Sequence, residues 1–113
     1  MTEQVLCRLS DLDATGTKEI VLDRDGGRYP VFVIRYADRI LGYENSCQHV
    51  RLPLNWKDDI FFDISGTRLF CANNGAIFEP ATGLCTRGPC TGQRLKSFPV
   101  RVVGENIISE QEL

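Results

Sequence analysis

The sequence has one histidine, one tryptophan and no long apolar run, and these scarcities narrow the functions open to it. Its longest apolar stretches, such as residues 31–34, span a few residues, too short to cross a bilayer as a helix. Basic residues number 13 against 15 acidic ones, so no positive field exists to hold nucleic acid or an anionic membrane. The first residues lack the basic and apolar segments of an export signal. We therefore expect a cytoplasmic protein without nucleic-acid or membrane partners.

Cysteine is in mild excess, with five in 113 residues: Cys7, Cys47, Cys71, Cys85 and Cys90. An odd number without an export signal argues against a disulfide framework, and cysteine clusters in cytosolic chains more often bind metal or perform redox chemistry. Cys7 lies in an apolar, strand-like stretch, so we expect it to be a buried packing residue. Cys85 and Cys90 lie close together in the sequence. We expect them to be packing residues, to form a reversible disulfide or to supply a further metal ligand.

Helical periodicity is absent, and short β-rich runs alternate with turn residues, which is typical of a sandwich or barrel. Strands are predicted over residues 4–9 and 20–22. Hairpins are predicted from residues 29–36 with 40–44, 69–71 with 76–78, and 98–103 with 106–108. The length fits one domain, residues 1–113, and the predicted fold class is all-β.

Two loops carry residues suited to metal binding. The first contains the triplet Cys47, Gln48, His49, and the second runs from Cys71 through Asn74. Side chains two residues apart lie on the same side of an extended segment, so a thiolate and an imidazole at this spacing can reach one metal centre. Two thiolates with an imidazole suit zinc, iron or an iron–sulfur cluster rather than magnesium or calcium. Taken alone, this triplet is a weak signal.

The residues around both loops carry a more specific pattern. The segments CQHVRLPLNW and LFCANNGAIFEPATGLCTRGPCTGQRLKSFPVRV resemble the cluster-binding region of Rieske-type ferredoxins, with Gly75, Thr82-Gly83, Gly88-Pro89 and Pro99-Val100 at matching positions. This resemblance implies a Rieske-like fold, with an antiparallel β-sandwich or barrel as its base. It also implies a small cluster-binding subdomain of loops and short strands, at about residues 46–90.

The resemblance also implies a ligand set. In Rieske centres two cysteines bind one iron of a [2Fe–2S] cluster and two histidines bind the other. Cys47 and Cys71 match the two thiolates and His49 matches the first imidazole, but Asn74 stands where the second imidazole is expected. His49 is the only histidine, so no displaced imidazole compensates. An amide oxygen is a harder and weaker donor than imidazole for iron in a sulfide cluster.

Four outcomes are open at the fourth ligand position, which we call the Asn74 corner. The cluster is held by Cys47, His49 and Cys71 with Asn74 or water as the fourth ligand, or a thiolate from Cys85 or Cys90 replaces it. Alternatively, one metal ion occupies a Cys2His site, or no metal binds and the fold acts as a docking module. Retention of both cysteines and one histidine favours metal binding.

The implied activity is one-electron transfer between a reductase and an oxygenase-like partner, as an oxidoreductase component rather than a stand-alone enzyme. The sequence has no nicotinamide or flavin fingerprint, so a flavoprotein reductase or the oxygenase would supply those cofactors. The competing class is an interaction module with the same fold that has lost its cluster. The sequence leaves the partner and the oligomeric state open.

Overall fold

The computed structural model describes residues 4–24, 26–46, 53–55 and 59–110. These residues form nine β-strands, all paired antiparallel, and a short 3-10 helix, which confirms the predicted all-β class. The strands are β1 (Val5–Arg8), β2 (Thr17–Arg24), β3 (Gly27–Tyr36), β4 (Arg39–Glu44), β5 (Leu69–Phe70), β6 (Ile77–Phe78), β7 (Cys85–Arg87), β8 (Val100–Val103) and β9 (Asn106–Ser109). The 3-10 helix spans Leu9–Leu12. No helix within these ranges is long and apolar enough to cross a membrane.

The strands form three three-stranded sheets, ordered β1-β9-β8, β2-β3-β4 and β5-β6-β7. All three predicted hairpins are present, as β3–β4, β5–β6 and β8–β9. The β3–β4 turn places Ala37 and Asp38 at positive φ, 50° and 63°. Left-handed conformations at both central residues give the twist that a two-residue hairpin needs, so this turn fixes the β3–β4 register.

Strand β3 is the centre of the base sheet and is covered on both faces. Its residues Val31, Phe32, Val33 and Ile34 are all fully buried. Because side chains alternate along a strand, Phe32 and Ile34 enter one core while Val31 and Val33 face the opposite side. This pattern explains why the segment reads as an unbroken apolar run rather than as alternating residues.

The core on the Phe32 side continues into the part of the chain that carries the cysteine loops. The Phe32 ring stacks on the Phe61 ring, with centroids 4.1 Å apart and planes 7° from parallel. The other fully packed members of this core are Ile34, Tyr43, Leu54, Leu69, Cys71, Ala76, Phe78, Cys85, Cys90 and Leu95. The loops of interest therefore rest on the same core as β3 and β4.

The segment that follows the last of these loops is hydrogen-bonded to strand β4. The Glu44 N–H donates to the Lys96 carbonyl (2.8 Å), and the Phe98 N–H donates to the Gly42 carbonyl (2.9 Å). Gly42 has no room for a side chain because the Phe98 carbonyl lies against its α-carbon. The Tyr43 hydroxyl donates to the Pro80 carbonyl (2.7 Å) from the same strand. These bonds fix residues 80–98 to the base.

Candidate metal centre

Two of the four predicted ligand positions, Cys71 and Asn74, lie in the part of the chain that the structure describes. Cys47 and His49 lie outside the described residues. Near the predicted site, the described residues therefore belong to the second loop, to both flanks of the first loop and to the loop after β7.

Cys71 is the first residue after β5 and is 0% exposed. Its N–H donates to the Ala76 carbonyl (2.9 Å), and its carbonyl accepts the Gly75 N–H (2.8 Å). Gly75 closes this turn at φ +75°, a conformation that glycine adopts without steric penalty. The predicted turn is thus present, and it holds Cys71 in a fixed position that is closed to solvent.

Asn74 has a structural task in the same turn. Its Oδ1 accepts the Ala76 N–H at 3.0 Å, and the residue is half-buried. As a metal ligand this oxygen would have to share or give up that bond, and it is a harder donor than iron in a sulfide cluster favours. The Cys71 thiol fits the chemistry of a cluster ligand, whereas the Asn74 amide does not match that of an imidazole.

A buried amide clamps the base of the first loop. Asn45 is 1% exposed, and its Oδ1 accepts the Leu54 N–H at 2.8 Å. Its Nδ2 donates to Glu19 Oε2 and to Asn55 Oδ1, both at 2.8 Å. No sequence pattern indicated this role of Asn45, which lies two residues before Cys47. Residues 45 and 54, which bracket the predicted Cys47 and His49, are therefore joined directly.

The second loop is bonded to the segment that follows the first. The Ala72 N–H donates to the Leu54 carbonyl (2.7 Å), and Asn73 Nδ2 donates to the Pro53 carbonyl (2.7 Å). Leu54 takes part in both this contact and the Asn45 clamp. The chain thereby brings a flank of the C-x-H loop against the loop of Cys71, as a ligand set drawn from both loops requires.

The loop after β7 packs on the second loop through a glycine. A side chain at Gly88 would place its Cβ 2.8 Å from the Ala76 Cα. Cys85 lies in β7, and Cys90 lies in the loop that follows it. Each is 1% exposed, and their sulfur atoms are 3.0 Å apart. Over the described residues no group of three or more metal-binding side chains occurs, so Cys71, Cys85 and Cys90 do not form a three-thiol site.

Cys7 is separate from these loops. It lies in β1 within a different core, formed with Leu12, Val33 and Ile107. Burial, reinforced by the nearby Asp11 carboxylate, raises the pKa of its thiol to about 11. A thiol held protonated at neutral pH is a poor nucleophile and metal ligand, which confirms the prediction of a buried packing residue.

Comparison with known proteins bears on the same residues. The model of the family described as "Rieske [2Fe-2S] domain" matches residues 2–99. No curated protein gives a significant match.

Solved structures match over nearly the whole chain. The ferredoxin of carbazole 1,9a-dioxygenase from Nocardioides aromaticivorans IC177 is 23% identical, with a TM-score of 0.73 over 99% of this chain and 100% of that one. A chain in the complex of reduced oxygenase and oxidized ferredoxin of carbazole 1,9a-dioxygenase is 26% identical, with a TM-score of 0.72 over 98% and 96%. A protein described as the small subunit of an NADPH nitrite reductase is 18% identical, with a TM-score of 0.69 over 98% and 100%. Since the family model covers most of the sequence, and the fold agrees, the chain belongs to the Rieske [2Fe–2S] domain family.

Proposed function

We propose that this protein is a Rieske-type electron carrier that passes one electron between a reductase and an oxygenase-like partner. The single observation that carries the proposal is the buried Cys71 thiol, held in a turn that is bonded to the flank of the C-x-H loop. A [2Fe–2S] cluster, when bound, supplies the one-electron chemistry. Family membership supports this cofactor, because such clusters define the family.

The proposed ligand set is Cys47, His49 and Cys71, with Asn74 at the fourth corner. Cys71 would contribute a thiolate from a site closed to water. The Gly75 N–H, which donates to the Cys71 carbonyl, would help to orient this ligand, because hydrogen bonds near a metal ligand adjust its basicity and orientation. Asn45 and Asn73 would keep the two loops in register, since each bonds to the segment at residues 53–55.

The proposed partner is an oxygenase-type protein, with a flavoprotein reductase as the electron source. The likeness to a chain in the complex of reduced oxygenase and oxidized ferredoxin supports the first part of this proposal. The second part is supported by the sequence, which carries no fingerprint for a nicotinamide or flavin, so that a partner would have to supply those cofactors. A cytoplasmic location is part of the same proposal.

The test is metal and sulfide analysis of protein purified without oxygen. We expect a brown protein with iron and acid-labile sulfide in equal amounts, and a Cys71→Ser variant that has lost most of both. The matched control is Cys7→Ser, because Cys7 is a buried thiol in another core and its removal should leave the iron content unchanged. Zinc without sulfide would instead indicate the mononuclear Cys2His alternative.

A second candidate is an interaction module that binds no cluster. The observation that favours it is the bond between Asn74 Oδ1 and the Ala76 N–H, which gives the fourth corner a purely structural role. This candidate predicts colourless protein even after reconstitution with iron and sulfide, and partner binding that survives a Cys47→Ala, Cys71→Ala double change.

A further inference from the structure

Cys85 and Cys90 form a pair of contacting thiols that the proposed electron-transfer site does not use. The Cys90 thiol donates to Cys85 Sγ at 3.0 Å, and the Cys85 thiol donates to the Arg87 carbonyl at 3.2 Å. Both are present as thiols. A disulfide needs an S–S distance of about 2.05 Å, so the two sulfur atoms would have to approach each other by about 1 Å.

The backbone imposes this contact independently of the sulfur atoms. The Cys85 N–H donates to the Gln93 carbonyl (2.8 Å), and the Gly92 N–H donates to the Cys85 carbonyl (2.9 Å). The Gln93 N–H in turn donates to the Cys90 carbonyl (2.9 Å). These bonds fold the loop back so that Cys90 lies over Cys85. The two thiols are therefore already positioned for a bond, and forming it requires no new chain path.

Both cysteines are buried, but their neighbours in the sequence are exposed. Both cysteines are 1% exposed, but every residue from 86 to 89 and from 91 to 94 is exposed. A small reagent therefore needs to displace only this short loop to reach the sulfur atoms. Cys7 differs from the pair because its core, formed with Leu12, Val33 and Ile107, contains no second cysteine.

We propose that Cys85 and Cys90 are a dithiol–disulfide couple, a redox modification site distinct from the predicted cluster ligands. The oxidant is a low-molecular-weight disulfide. One cysteine thiolate attacks a sulfur of this disulfide and releases one small thiolate, which leaves a mixed disulfide on the protein. The second cysteine thiolate attacks the protein sulfur of the mixed disulfide and releases the other small thiolate. Two electrons and two protons thus pass from the pair to the reagent, which becomes two thiols.

Packing of Gly88 against Ala76 connects the couple to the Asn74 turn. The loop that a Cys85–Cys90 bond would close contains Gly88, and Gly88 lies against Ala76. The Ala76 N–H is the group that Asn74 binds. Oxidation of the pair therefore acts on a loop that touches the predicted fourth corner, although the couple itself needs no cluster.

The test is disulfide mapping on the full chain, purified without oxygen and equilibrated in a series of reduced and oxidised glutathione mixtures. After acid quenching and alkylation, trypsin cleaves after Arg68, Arg87 and Arg94, so Cys90 is separated from the peptide that holds Cys71 and Cys85. We expect the peptides 69–87 and 88–94 to become linked, with a mass two hydrogens below their sum. Fragmentation should assign the link to Cys85, and reductant should reverse it in a single two-electron transition.

Variants separate this result from the fate of the cluster. Cys90→Ser should abolish the link, whereas Cys7→Ser and Cys71→Ser should retain it, the latter even though it removes a proposed cluster ligand. Separate alkylation or glutathionylation of Cys85 and Cys90 across the whole series, or a link to Cys71 instead, would overturn the proposal. Mapping of the unaltered chain decides between these outcomes even where a variant fails to fold.

Discussion

Among single residues, Asn74 is the one whose side-chain oxygen has two competing uses. Oδ1 already accepts the Ala76 N–H at 3.0 Å, and the same atom is the donor that the residue would offer to a metal. A net contribution of roughly 0.5–1.5 kcal/mol is typical of such a hydrogen bond. The turn is therefore stabilised by the bond that metal ligation would weaken, which makes this corner the weakest part of the proposed ligand set.

Asn74→His is expected to increase the amount of iron retained and to give a Rieske-like electron paramagnetic resonance signal on reduction. The reason is that imidazole nitrogen is a better donor to cluster iron than an amide oxygen is. Iron per chain and the spectrum of the reduced protein are the measurements. Asn74→Leu is the matched control, because it removes the same amide without adding an imidazole. If Asn74→His behaves like the parent in both measurements, the fourth ligand lies elsewhere.

Tyr29 makes stability sensitive to alkaline pH. Burial, together with the hydrogen bond that its hydroxyl donates to Glu44 (2.8 Å), raises the pKa of Tyr29 from 10.0 to about 12. Between these values the unfolded chain loses the phenol proton while the folded chain keeps it. Stability from this residue is therefore complete below pH 10 and is lost as pH rises towards 12.

Tyr29→Phe is accordingly expected to flatten the fall in the free energy of unfolding between pH 10 and pH 12. Urea unfolding at several pH values in this window measures the slope. Some slope should remain, because burial also raises the pKa of Tyr43. Identical slopes for the variant and the parent would show that Tyr29 titrates alike in the folded and unfolded states.

At the scale of elements, local signals made the hairpins predictable. Apolar runs separated by turn residues predicted β3–β4, β5–β6 and β8–β9, and all three are present. The three-residue strand β7 was not predicted, because it exists only through its irregular pairing with β6. The 3-10 helix Leu9–Leu12 likewise carried no periodic signal.

The candidate site was predictable only where family motifs marked it. The turn of Cys71 and Gly75 has the expected form, while the calls on Cys47 and His49 remain predictions because those residues lie outside the described ranges. The Asn45 clamp could not be predicted. Its partner Glu19 is 26 positions away on β2, so the buried amide is satisfied only once the strands have packed.

Two glycines in the Cys85–Cys90 loop region allow a matched test of loop packing. Gly88 and Gly92 both have positive φ, 105° and 91°, so alanine is strained at either position. Gly92→Ala meets no neighbouring atom and should lower the free energy of unfolding by about 1–2 kcal/mol from backbone strain alone. Gly88→Ala should lower it by roughly 1–3 kcal/mol more, because its Cβ overlaps the Ala76 backbone. Urea unfolding measures both, and equal losses would mean that this loop does not pack tightly on the Cys71 turn.

For the whole molecule, the central feature is one core shared by the base and the cysteine loops. Phe32 and Tyr43 come from β3 and β4, while Phe61 and Phe78 come from the region that was predicted as a subdomain. The bonds from Gly42 and Glu44 to residues 96–98 join the same two parts. From this continuity we propose that residues 1–113 unfold as a single domain, with 46–90 as a subdomain rather than an independent unit.

Phe61→Ala tests this proposal, because Phe61 stacks on Phe32 and lies fully buried between the two parts. The change should lower the free energy of unfolding by about 3–5 kcal/mol, as is typical for removal of a buried phenylalanine ring. Trp56 fluorescence, which arises within residues 46–90, and far-ultraviolet circular dichroism, which reports on the strands, should shift to the same lower urea midpoint. Ile64→Ala is the control, since that side chain is fully exposed (108%) in the same region and should leave both midpoints in place. Two separate midpoints in the parent or in Phe61→Ala would instead mean that the loops and the base fold independently, and the shared core would then be a contact between two units.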